Sequence, residues 1–282
     1  MQLQTIIDIP SIGRRISKGE TVFVLGSCFA DNMGAKLAAA GLIVCVNPFG
    51  TLYNPASIAG AVKRLDSGLP YTEAECVEMG AGAGLICSFE HHTSFARSDV
   101  QTFLADANAA LFKAARMWNR ASTVIITLGT ARCWLHEGTV VANCLKRPGY
   151  EFSREMMSVE NVGKTLNTLV EAHPDKNFIF TVSPIRHLGE GAHLNQISKS
   201  TLLLGLEQVL TQRGACYFPS YEIVLDELRD YRFFAEDMIH PTAQTVEYIW
   251  ERFKVWAFSE GDIAAIEDAE KTFRRSQHRP LR

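Results

Sequence analysis

Two short segments near opposite ends of the chain carry residue types that do nucleophilic chemistry: Gly26-Ser27-Cys28-Phe29-Ala30 and Asp237-Met238-Ile239-His240-Pro241. The first stands between a compact apolar run, Thr21 to Leu25, and a stretch where Phe29, Met33 and Leu37 recur at helical spacing. A strand that turns tightly into a helix needs a junction residue without a Cβ, and Gly26 supplies it. The next side chains then project at a helix N-terminus, where free N–H groups and the helix dipole favour an anion. This placement predicts a Cys28 thiolate held below the pKa of a free thiol, with the same amides ready for a developing oxyanion. Without chemistry, Ser27 reads as a helix cap and Cys28 as a small core residue.

In the second segment, the residue before proline is kept out of the helical region, which fixes His240 in an extended turn. Asp237, three residues earlier, folds back onto the imidazole, sets its tautomer and stabilises the imidazolium during proton transfer. The alternative is a surface aspartate beside a capping histidine. Two ligands without a third do not make a zinc site, and His91-His92, His187 and His193 complete no ligand set.

These segments need a scaffold that brings them together. Apolar runs at Thr21–Leu25, Leu42–Val46, Thr123–Leu128, Phe178–Val182 and Ala215–Phe218 read as strands. Helical patterns lie between them, from Phe29 to Gly41, after Asn54-Pro55, over 99–118, after a capping Ser158, and over 195–212. A last helix runs from about Thr242 to Trp256, with Pro241 in its first turn. Residues 66–95 break the rhythm and read as an inserted hairpin region, 131–143 as a second hairpin, and the tail from Arg274 to Arg282 as loose. Such alternation predicts one α/β domain over residues 1–273, a parallel sheet with helices on both faces. Ligands sit beyond the carboxyl ends of such strands. Gly26-Ser27-Cys28, Asn47 to Gly50, Gly129-Thr130 and Ser183-Pro184 should therefore open onto one crevice.

Composition narrows the function. Hydrophobic residues make up 47% of the 282 and charged residues 21%, with a net charge of −3 and no basic stripe. Nucleic acid is excluded as a partner on that ground. No run approaches a membrane span, and Met1 to Pro10 carries no readable secretory signal. Seven scattered cysteines without a C-x-x-C pair fit a reducing cytoplasm.

With both segments in view, the chain resembles the GSCFA family, named for the pentapeptide at Gly26 to Ala30, a family similar to SGNH (GDSL-type) hydrolases. The likeness extends through Asn47-Pro48-Phe49-Gly50-Thr51, Asn54-Pro55, Thr127 to Ala131, Val141 to Cys144, Ser183 to His187, Tyr217 to Tyr221 and Ala235 to Pro241. The resemblance implies a flavodoxin-like three-layer sheet, a nucleophile after the first strand and a D-x-x-H pair, matched by Asp237 and His240. It also implies an oxyanion hole from the nucleophile's own N–H, a second-block glycine matched by Gly50, and a third-block asparagine.

Two departures follow. Laying G-D-S over Gly26-Ser27-Cys28 puts Cys28 at the nucleophile position, which makes it preferred over Ser27. Laying G-x-N-D over Gly129 to Arg132 puts Ala131 where the asparagine belongs, leaving Thr130 or Asn143 to donate. In addition, Leu145 stands where a histidine is expected after Asn-Cys.

The leading expectation is acyl transfer through a covalent acyl-enzyme. Cys28 or Ser27 attacks an ester or thioester of a small molecule or acylated carbohydrate, and no cofactor or metal is needed. Water as acceptor makes an esterase, a hydroxyl an acyltransferase. Arg132 and Arg186-His187 are placed to hold an anionic part of the substrate, or Arg186 is a salt-bridged loop residue. The competing class is a binding module that keeps the pocket without turnover, and a scaffold protein is the third. Oligomeric state stays open.

Overall fold

The computed structural model describes residues 4–277. The chain begins with β1 (Thr21–Gly26), α1 (Cys28–Ala39), β2 (Ile43–Val46) and α2 (Pro55–Ser67). A two-residue ladder, β3 (Val77–Glu78) and β4 (Ile86–Cys87), precedes α3 (Val100–Arg120) and β5 (Thr123–Leu128). Next come β6 (Arg132–His136), β7 (Thr139–Val141), β8 (Phe152–Met156), α4 (Val159–Glu171) and β9 (Asn177–Val182). The chain continues through α5 (Ala192–Glu207), β10 (Ala215–Tyr217) and a turn α6 (Ser220–Glu222), and ends in α7 (Ala243–Ala257) and α8 (Glu260–Gln277).

The central sheet has five parallel strands in the order β10-β9-β5-β1-β2. Counted along the chain within the sheet, the order is 2-1-3-4-5, the flavodoxin-like pattern. It reverses direction between β1 and β5, and the carboxyl ends of these two strands flank a ready-made crevice. Alternate side chains of each strand feed separate cores, as a period of two requires. Phe23, Leu25, Val124, Ile126, Phe178 and Phe180 face the core shared with α2, α3, α4 and α5. Val22, Val24, Ile125 and Ile179 face the core shared with α1, α7 and α8.

Local chemistry sets the helix starts. Asn54 caps α2 through Oδ1, which accepts from Ser57 N at 2.8 Å, and Pro55 follows at the first helical position. Ser158 caps α4 as expected. Thr242 is the cap of α7, so Pro241 lies one residue before the cap rather than inside the first turn.

Several boundaries differ from the sequence reading. The segment 66–95 is mostly turns, and its only paired strands are the short β3 and β4. The hairpin at 131–143 exists, but β8 adds a third strand to it. α5 runs over Ala192–Glu207 rather than 195–212. The tail expected to be loose begins at Arg274, yet α8 continues to Gln277, and residues 278–282 lie outside the described range. α8 buries only Ile266, so its polar surface gave no apolar stripe to read. No helix among the described residues is long and apolar enough to cross a membrane.

Candidate active site

The Gly26-Ser27-Cys28 turn is built from β1, α1 and two braces. Gly26 has φ +137°, and a Cβ there would lie 2.1 Å from Thr127 O, so only glycine fits beside β5. Asn47 Oδ1 accepts from Gly26 N at 2.9 Å, while its Nδ2 donates to Asp31 Oδ1 at 2.8 Å. Asn47 thus ties the turn to the first turn of α1.

Ser27 and Cys28 part company here. Ser27 is fully buried; its hydroxyl accepts from Phe29 N at 3.3 Å as the helix cap and shares a hydrogen bond with Thr127 Oγ1 at 3.1 Å. Cys28, the first residue of α1, opens into a cleft of about 490 Å³, and its N–H has no helical partner. Its Sγ lies 3.6 Å from His240 Nε2. His240 Nδ1 in turn donates to Asp237 Oδ2 at 2.6 Å, which leaves Nε2 bare and able to accept the thiol proton. Asp237 Oδ1 also accepts from Ile239 N at 2.9 Å and His240 N at 3.0 Å. These bonds hold its carboxyl down at about 2. The loop that carries the pair is tight: Met238 has φ +57°, and Ala235 N donates to His240 O at 2.8 Å.

One electrostatic expectation is reversed. The Cys28 thiol is pushed up, not down, chiefly because burial disfavours the thiolate and secondarily because Asp31 stands nearby. The N–H groups of Cys28 and Phe29 and the Lys199 ammonium pull the other way without winning. Cys28 is therefore held as a thiol, with His240 Nε2 in reach of its proton.

The proposed oxyanion donors fare differently. Gly50 N–H is spent on Asn47 O at 2.8 Å, and the glycine is there for a turn with φ +88° that packs on His92. Asn143 uses Oδ1 to accept from Leu145 N at 2.8 Å and does not line the cleft. Gly129 and Thr130 both give their N–H groups to Tyr53 O at 2.8 Å, and the Thr130 hydroxyl is tied to Ser198 Oγ at 2.8 Å. Of the four, only Thr130 lines the cleft, with its backbone donor already committed. The Asn47–Gly50 segment braces the site from behind, and Tyr53 and Asn54 from the same loop reach the cleft in its place.

Arg186 and His187 do line the cleft. Arg186 Nη1 donates to Met238 O at 3.0 Å, which ties the segment after β9 to the loop that carries Asp237 and His240. His187 packs edge-on against Tyr53 and is lowered to about 4 by burial and by the nearby Lys199 and His240, so it is neutral at ordinary pH.

Two residues escaped the sequence reading. The sequence marks Asn54-Pro55 only as a helix start; the structure makes Asn54 the cap of α2 and puts it on the cleft wall. Its Oδ1 is committed to Ser57 N, and no acceptor among the described residues meets its Nδ2. Lys199, on α5, is only 1% exposed, and its Nζ donates to Gly129 O and Ser183 O at 2.7 Å each. Burial lowers it to about 7, partly opposed by Cys28. A lysine amid Ile197, Ser198 and Ser200 on a helix gives no local sign of burial; only the two strand ends above it create the need.

The model of the GSCFA family matches residues 21–253, a span that holds every residue of this cleft. No curated protein matches the chain.

Proposed function

Because the chain belongs to the GSCFA family, whose signature pentapeptide forms the nucleophile turn, we propose that it is a cysteine-dependent acyl-transfer enzyme of SGNH-hydrolase type, acting on an ester or thioester. The observation that carries the reading is the Cys28–His240–Asp237 relay at 3.6 and 2.6 Å on the floor of an open cleft.

In this reading, Cys28 Sγ attacks the carbonyl carbon while His240 Nε2 takes the thiol proton, and the carbonyl electrons move onto oxygen. The oxyanion meets Cys28 N–H and the free Nδ2 of Asn54, the donors left once Gly50, Gly129 and Asn143 are discounted. Collapse breaks the bond to the alkoxide or thiolate, which leaves with the proton from His240. Water or an acceptor hydroxyl, deprotonated by His240, then attacks the acyl-thioester and releases Cys28 with its proton. Asp237 keeps the imidazole oriented and offsets its charge.

A raised thiol pKa favours the second reading, a pocket that binds acylated ligands without turnover. Intact-mass measurement after mixing with an activated ester such as p-nitrophenyl butyrate decides. The enzyme gains one acyl mass, mapped to Cys28 and absent in Cys28→Ala. A wild-type protein that stays unmodified and releases no p-nitrophenol supports the binding module.

A further inference from the structure

The cleft has a charge pattern that the acyl-transfer chemistry does not need. Its lining includes Arg132, Arg154 and Arg186, with Glu190 as the sole carboxylate among the described lining residues. Three guanidiniums against one carboxylate leave an excess of two positive charges, in a chain whose net charge is −3.

The arginines stand on two walls. On one, the β6–β8 register sets Trp134 opposite Arg154, with Arg132 two residues before Trp134 on the same face. The Arg154 guanidinium lies 3.8 Å from the centre of the Trp134 ring, and Arg132 and Arg154 share Glu190 at 2.6 and 2.5 Å. One carboxylate between two guanidiniums leaves that wall positive. On the other wall Arg186 spends Nη1 on Met238 O and lies 5.5 and 5.9 Å from the Phe234 and Tyr231 rings. Among the described residues it has no carboxylate partner. Arg186 lines the same cleft as Cys28, Ile239 and His240. A guanidinium fixed at one corner and open along the others matches a planar or tetrahedral oxyacid in a bidentate manner.

We propose that the cleft selects substrates bearing an anionic group, a carboxylate or phosphate, distal to the carbonyl that Cys28 attacks, with Arg186 as the main ligand and the Arg132–Glu190–Arg154 wall as a secondary one. This rests on the acyl-transfer reading, and the test separates the two. The probes are p-nitrophenyl butyrate, mono-p-nitrophenyl succinate, which places a carboxylate where butyrate has a methyl, and the matching 3-phosphonopropionate.

For wild type the anionic esters exceed butyrate in kcat/KM by about ten- to a hundredfold, and the better of the two identifies the anion. Arg186→Met collapses that ratio toward one, Arg186→Lys restores part of it, and Arg154→Leu lowers it less. The ratio is the readout because a disturbed catalytic loop slows all three esters alike. A wild-type ratio near one, or a ratio unchanged in Arg186→Met, overturns the proposal. If no ester acylates Cys28, the acyl-transfer reading fails, and inorganic phosphate then decides the anion site. Retarded alkylation of Cys28 by iodoacetamide in wild type but not in Arg186→Met supports the site, and no retardation in either overturns it.

Discussion

His240 Nε2 lies 3.6 Å from Cys28 Sγ, although the two residues are 212 positions apart in the chain. The contact exists because β1 and the loop before α7 end on the same side of the sheet. β1 delivers Cys28 at its carboxyl end, while Arg186, just beyond β9, grips the loop through Met238 O at 3.0 Å. The thiol that results is neutral and base-dependent, unlike a preformed thiolate.

Cys28 and Ser27 are separable by mutation. Cys28→Ala should remove acylation while leaving the fold intact. Ser27→Ala should cost stability of about 0.5–2 kcal/mol, the loss of a helix cap, while Cys28 remains open to modification. Thermal melts and peptide mapping check both. Acylation that survives Cys28→Ala and vanishes in Ser27→Ala would reverse the assignment.

Removing the base should matter more here than in a site with a ready thiolate. His240→Ala is expected to slow acylation of Cys28 by roughly a hundredfold or more. Asp237→Asn should also slow it, since the carboxylate, held at about 2, is ionised throughout the working range and fixes the tautomer. Single-turnover rates at pH 7 provide the measurement. Rates within a factor of about two of wild type for both variants would remove the relay from the mechanism.

Asn54 offers a cleaner substitution than most oxyanion residues, because its two side-chain atoms have different tasks. Asn54→Asp keeps an oxygen to accept from Ser57 N and so keeps the α2 cap. It loses the Nδ2 donor, and acylation by an ester should fall about a hundredfold. Alkylation by iodoacetamide forms no oxyanion and should slow only as far as the added carboxylate raises the Cys28 thiol, far less than ester acylation. If ester acylation is unimpaired with the melting temperature unchanged, Asn54 is a cap and nothing more.

The sequence revealed the parts of this molecule that follow local rules. Strand β5 is six consecutive buried residues and was legible as such, and Gly26 announced the turn it makes. The D-x-x-H spacing was readable because the pair closes on itself through hydrogen bonds within four residues. Other features depend on neighbours distant in sequence. Gly50 looked like an oxyanion donor because nothing local shows that Asn47 O takes its N–H. The Cys28 pKa was misjudged because the helix N-terminus is visible in sequence and the burial opposing it is not. Strand β8 holds three consecutive exposed polar residues, Ser153 to Glu155, and the ring that Arg154 meets, Trp134, comes from β6. An exposed polar run does not read as a strand until the partner strand is in view.

Lys199 gives a prediction with a definite sign. Its folded-state value is about 7, against an ordinary 10.5, so between those limits the unfolded chain holds a proton that the folded chain has released. Stability rises with pH wherever the unfolded state binds more protons. The stability of wild type relative to Lys199→Met should therefore improve as pH rises from about 7 toward 10 and stay flat below about 7. Thiol titrations contribute to both proteins and largely cancel in the difference. Urea midpoints across that range provide the test, and a difference that does not change with pH would mean that Lys199 keeps its proton in the core. The variant also leaves Gly129 O and Ser183 O without their donor, so it should be less stable at the alkaline end, where the wild type carries no charge there. Near neutral pH, where the ammonium is partly retained, its loss should also raise the Cys28 thiol further and slow its alkylation.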